Sequence, residues 1–151
     1  IQKQKPDVVL ISQRALSFNG KEYLEIMVKI RDYLKTLGVR KVIFIGTAPR
    51  WNYSLPMIIA LKLWTNTPRY SWYGVEKRFI ETDQQILKEK EILEDFHYVS
   101  MVDYFCNTSG CLTYIGEDKT RGISSFDGGH ISLIASDYFV RDVLGKIIIG
   151  E

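Results

Sequence analysis

The sequence predicts an α/β fold: a three-layer α/β/α sandwich around a parallel sheet. Three observations carry this. Residues 7–12 (DVVLIS) and Lys41–Ile45 (KVIFI) are short, unbroken apolar runs, the pattern of strands covered on both faces. The stretch between them has helical periodicity, and a helix joining two strands is the crossover that a parallel pair requires. Helical and extended patterns then alternate to the end of the chain, as in α/β proteins.

The elements follow in order. Pro6 precedes the first run, and residues 21–37 form the first helix. Leu24, Met27, Val28, Leu34 and Leu37 share one face of it, and Gly38 terminates it. After KVIFI comes Gly46-Thr47-Ala48-Pro49, then a short helix over residues 55–64 with Pro56 in its first turn. Residues 65–74 read as a loop rich in aromatics, and residues 80–94 as a second long helix. Thr82 and Gln85 have the spacing of a capping box, and Ile86, Leu87 and Leu93 give the apolar face. Residues 96–101 are a strand candidate and residues 112–115 a short extended piece. Residues 132–144 form the last helix, with Leu133, Ala135, Phe139, Val140 and Val143 as apolar positions and Ser132 as a cap.

A chain of 151 residues fits one domain, residues 1–151. Its 20 basic and 18 acidic residues nearly balance, so nothing points to nucleic acid as a partner. No apolar run reaches bilayer length, and the N-terminal stretch IQKQKPDVVLIS is not a signal peptide. The chain does not start with Met, which suggests a domain excised from a larger protein. Neither CxxC nor clustered histidines occur, so no metal or cofactor is expected. Cys106 and Cys111 flank a turn containing Asn107, Ser109 and Gly110. They are either a bridged pair, implying an oxidising compartment, or two reduced, half-buried thiols.

The chemistry concentrates in SSFDGGHIS. Asp127 stands three residues before His130, one of only two histidines. A general base needs a group that fixes its tautomer, and a carboxylate on a turn can provide one. Gly128 and Gly129 would give that turn its backbone freedom. The competing reading is a glycine turn with an exposed Asp and a half-buried His. Trp51, Tyr53, Tyr70, Trp72 and Tyr73 cluster with Arg50 and Arg69 in loops. Trp51, Tyr53 and Trp72 are candidates for stacking on sugar rings; loop packing is the alternative. His97 alternates within a strand and reads as a surface or packed histidine, and KEKEILED as a solvated helix face.

The order of these features, with Asp127-x-x-His130-Ile131-Ser132 opening the last helix and a cysteine pair before it, resembles the SGNH (GDSL-like) hydrolase superfamily. It is most similar to the SGNH domains fused to acyltransferase-3 membrane proteins that O-acetylate bacterial surface polysaccharides. The resemblance implies an SGNH, flavodoxin-like sandwich and a Ser-His-Asp mechanism in which His130 is the base and Asp127 orients it. It implies a glycan substrate, an upstream acyltransferase-3 membrane domain, no cofactor, a periplasmic location at the inner membrane, and the Cys106–Cys111 disulfide. The sequence departs from the family pattern in two places. No Gly-Asp-Ser block is present, so the nucleophile segment is expected upstream of Ile1, and this piece alone should be inactive. The Gly-x-Asn-Asp block is also absent; Gln13 and Arg14 occupy that strand end and become the oxyanion-hole candidates, with a loop salt bridge as the competing and favoured role for Arg14. The other function class is a catalytically inactive α/β module that binds glycan or docks on a membrane partner.

Overall fold

The structure, a computed structural model, describes residues 6–12, 20–90 and 94–150. The chain forms two compact units: Ile1–Thr47 with Arg78–Met101, and Ala48–Lys77 with Val102–Glu151.

The first unit holds a parallel sheet in the order β1 (Val8–Ser12), β2 (Lys41–Ile45), β4 (His97–Val99). Val8 pairs with Lys41 through to Ser12 with Ile45, and Ile43 pairs with His97 through to Ile45 with Val99. The two apolar runs are thus adjacent and parallel, as the intervening helix implies. Helix α1 (Gly20–Thr36) buries Tyr23, Leu24, Met27 and Leu34. They join Val42, Phe44, Ile86, Phe96 and Tyr98 in one core, where the Phe44 and Phe96 rings stack 5.3 Å apart. Each fully buried side chain of this size contributes roughly 1.5–3 kcal/mol of transfer free energy. Ile43, on the opposite face of β2 by strand alternation, is also fully buried, so the strand reads as an unbroken apolar run. The C-terminus of α1 closes with paired bonds, Gly38 N–H to Lys35 O and Val39 N–H to Leu34 O. Gly38 takes φ +89°, which a side chain would resist, and Val39 and Leu34 are buried together in the core.

Helix α3 spans Lys77–Lys90, so Thr82 and Gln85 sit inside it and form no capping box. Thr82 Oγ1 donates back to Arg78 O, and Gln85 Oε1 accepts from Gly20 N–H at the start of α1. The box spacing was met by residues with other partners. Asp83, in α3 and 2% exposed, accepts from Tyr98 Oη and Ser100 Oγ, both at 2.6 Å. Beyond α3, His97 is partly exposed and its Nε2 lies 3.3 Å from Asp95 Oδ1.

The second unit is built from short elements. Helix α2 (Leu55–Ile58), capped by Ser54 Oγ accepting from Met57 N–H, runs on as a π-helix over Ile59–Leu63. Within the aromatic loop lies β3 (Tyr70–Ser71). It pairs antiparallel with β6 (Gly110–Leu112), which pairs with β5 (Cys106–Asn107). Cys106 and Cys111 are opposite one another across this hairpin and are joined by a disulfide. Met101, expected at a strand end, opens α4 (Met101–Phe105). The last helix passes through α5 (Leu133–Phe139), a π stretch (Val140–Leu144) and α6 (Gly145–Ile149), and so runs past the expected end at 144 to Gly150 at φ +83°. Phe139 packs on Tyr104 and Phe105, and Tyr104 Oη donates to Asp142 Oδ2 at 2.7 Å. Burial, then this bond, raises the Tyr104 phenol above its ordinary range. Among the described residues no helix is long and apolar enough to cross a membrane.

Candidate active site

The loop before α5 closes on itself through Asp127. Its Oδ1 accepts from the backbone N–H of Gly129 (2.7 Å) and of His130 (2.8 Å), a side-chain-closed turn of the kind Asp favours. Its Oδ2 lies 2.6 Å from His130 Nδ1. The backbone bond from His130, then that from Gly129 and the imidazole itself, lower the Asp127 pKa to about 2. The carboxylate is therefore ionised at neutral pH and can only accept. Nδ1 must carry a proton, so in the neutral imidazole it is Nε2 that holds the lone pair. The imidazole is 73% exposed and the Asp127 side chain 41% exposed, so the pair stands at the surface rather than in a buried pocket. The Phe126 ring stacks on the imidazole, with 5.7 Å between centroids and 13° between planes.

The neighbouring serines hold this loop rather than serve the base. Ser125, 1% exposed, places Oγ 2.6 Å from His130 O and 3.0 Å from Asp127 O. Ser132 Oγ caps α5 by accepting from Ala135 N–H, and Ser124 Oγ donates to Leu112 O. Each hydroxyl is engaged with backbone.

The segment before α2 supports the loop from outside. Trp51 N–H donates to Gly128 O (2.8 Å) and Leu55 N–H to Asp127 O (2.9 Å). Here the expectation for the two glycines is corrected. Neither Gly128 nor Gly129 has a positive φ. The chain passes close to both, against backbone at Gly128 and against the end of a side chain at Gly129. A Cβ at Gly128 would meet Trp51 O at 2.9 Å, and one at Gly129 would meet the Arg50 guanidinium at 2.7 Å.

Trp51 is also corrected as a sugar-stacking candidate. It is 4% exposed, with its backbone in a bridge to Val75, so its ring is part of the packing. Tyr53 is 66% exposed and lines an open apolar groove of about 180 Å³ with Met57, Ile58, Leu61, Lys62 and Tyr73. Trp72 is partly exposed, and its Nε1–H donates to Thr108 O. Gln13 and Arg14 lie outside the described residues. Among the described residues no cluster of His, Cys, Asp or Glu could hold a metal ion.

Three contributors were not singled out for this loop from sequence: Phe126, stacked on the imidazole, and Arg50 with Glu76, whose Nε and Oε1 lie 3.9 Å apart. Phe126 could have been found from its place beside Asp127. Arg50 carries no local signal, because its contact with Gly129 spans most of the unit's sequence.

The family model described as SGNH domain (fused to AT3 domains) matches residues 1–144. A solved structure, the periplasmic domain of a lipopolysaccharide acetyltransferase from Salmonella ser. Paratyphi A, is similar with a TM-score of 0.82 and 27% sequence identity. The match covers 97% of this chain and 59% of that one, so the chain spans well under two thirds of its length. No curated protein matches the sequence.

Proposed function

Since the chain belongs to the family of SGNH domains fused to AT3 domains, we propose that it is the SGNH domain of a bacterial membrane O-acyltransferase acting on cell-surface polysaccharide at the periplasmic face of the inner membrane. The reaction is acetyl transfer or ester hydrolysis. The observation that carries this reading is the Asp127–His130 bond through Nδ1, which leaves Nε2 as the basic nitrogen on an exposed side chain. The nucleophile is a serine from outside this chain, which has no Gly-Asp-Ser block.

In this mechanism Nε2 takes the hydroxyl proton as the serine oxygen forms a bond to the acyl carbonyl carbon. The imidazolium is then stabilised by the ionised Asp127, which does not itself take up the proton. Collapse of the tetrahedral intermediate breaks the bond to the leaving oxygen, and Nε2–H returns the proton to that oxygen. A sugar hydroxyl or water repeats the sequence on the acyl-serine, giving transfer or hydrolysis. Tyr53 and Trp72 are exposed enough to meet a sugar face, and they take the substrate-binding role.

The test is O-acetylation of the native glycan by the complete natural protein carrying His130→Ala. A loss of roughly 10⁴–10⁶-fold in rate is expected, with the fold intact. An unaltered rate would refute the catalytic reading in favour of a glycan-binding or docking module.

A further inference from the structure

We propose that Arg50 is a positioning residue for the His130–Asp127 pair, its guanidinium forming the plate against which Gly129 lies; the inference rests on the acyl-transfer reading of that pair. Gly129 is one residue from His130 and two from Asp127, so its path sets the separation of the two side chains. A Cβ built there would stand 2.7 Å from both Cζ and Nη1 of Arg50 and 3.1 Å from its Nε. Three neighbouring guanidinium atoms at such similar distances mean that the group lies broadly against the glycine rather than touching it with one tip.

The plate lies beside an acidic side chain. The Arg50 and Glu76 side chains are 21% and 19% exposed and lie 3.9 Å apart at Nε and Oε1, and Glu76 N–H donates to Arg50 O at 2.8 Å. The bonds from Trp51 N–H to Gly128 O and from Leu55 N–H to Asp127 O continue the same support. Residues 127, 128 and 129 are thus each met by the segment 50–55, the first two through hydrogen bonds and the third through a flat cation. A planar, delocalised guanidinium can fill that role; a lysine ammonium on a flexible stem keeps the charge but not the surface. Glu76 offsets the charge, so the shape of Arg50 is what the loop uses.

The chain has two histidines, which makes the test direct. Histidine-selective 15N labelling of the chain, with His97→Gln to assign the second signal, reads the tautomer of His130. The wild type should show the Nδ1–H form. Arg50→Ala and Arg50→Lys should each give a mixed population, with far-UV circular dichroism unchanged; the lysine variant covers the case in which the alanine variant fails to fold. In the complete natural protein, kcat for p-nitrophenyl acetate should fall about tenfold with KM unchanged, the scale of a small misplacement. Gly129→Ala should cause the same loss when Arg50 is present and a smaller one in the Arg50→Ala background, since the clash is then gone. Retention of the single tautomer and of wild-type kcat in both Arg50 variants would overturn the proposal. Full activity of His130→Ala would instead overturn the acyl-transfer reading, and the tautomer measurement would still decide what Arg50 does.

Discussion

Asp83 and Asp127 are the same carboxylate put to opposite uses. Asp83 is 2% exposed and holds two hydroxyls, from Tyr98 and Ser100, which lie 15 and 17 residues along the chain. Asp127 is 41% exposed and holds two backbone N–H groups and an imidazole, all within three residues. A carboxylate with distant, buried partners fastens α3 to the end of β4, so it belongs to the stability of the first unit. A carboxylate with local, exposed partners organises one loop of the second unit and leaves a base at the surface. The range and the exposure of the partners separate the acid that fastens the core from the one proposed to serve the chemistry.

Of the substitutions that bear on this comparison, Asp127→Asn should have the largest effect. An amide can donate to Nδ1 and so select the wrong tautomer, and acyl transfer in the complete protein should fall by roughly 10²–10⁴-fold. Thermal unfolding should show little change; a large drop in melting temperature would mean that Asp127 is also structural. Asp83→Ala should reverse the pattern. Two buried hydroxyls lose their acceptor, and unfolding in urea should report about 3 kcal/mol of lost stability. Activity per folded molecule should be kept, and a specific activity as low as that of Asp127→Asn would collapse the distinction.

A smaller loss is expected on removing the Cys106–Cys111 bridge. The loop it closes is short, so Cys106→Ser with Cys111→Ser should cost about 2 kcal/mol in the same urea measurement. The smallest effect is on pH. The folded pKa of Asp127 is depressed to about 2, below the ordinary carboxylate value of about 3.9. Its contribution is therefore complete above the ordinary value and is lost as the pH falls through about 2. The Asp127 carboxyl 13C shift should show its own protonation step with a midpoint near pH 2. A midpoint near 4 would show that the loop bonds do not favour the ionised form.

Much of the first unit was legible in the sequence because its signals are dense. DVVLIS and KVIFI are long enough to mark strands, and Gly38 follows directly on a helical face. The Asp127–His130 pair was legible because both residues lie in one turn. What the sequence hid is long-range. Strand β3 is two residues long and carries no periodicity. Thr82 and Gln85 had the spacing of a cap, but α3 begins five residues before Thr82. The apolar pattern around Ile80 does not distinguish a helix start from a helix interior. The glycines of the loop were noticed for the wrong reason: flexibility is a local property, whereas closeness to Arg50 and Trp51 is visible only in three dimensions. Trp51 looked like a ligand platform because aromatic loop residues cluster in sequence whether they face solvent or core.

The π stretch in the last helix bears on how related chains are aligned. A turn of this kind is the trace of one residue accommodated inside a helix without breaking it. Each residue advances a helix by about 100°, so everything after Val140–Leu144 is rotated by that much relative to an uninterrupted α-helix. An alignment that allows no gap here would put Gly145–Ile149 on the wrong face. In a relative lacking the insertion, residues that look equivalent in sequence would point in different directions, and the matching side chain would be found one position away.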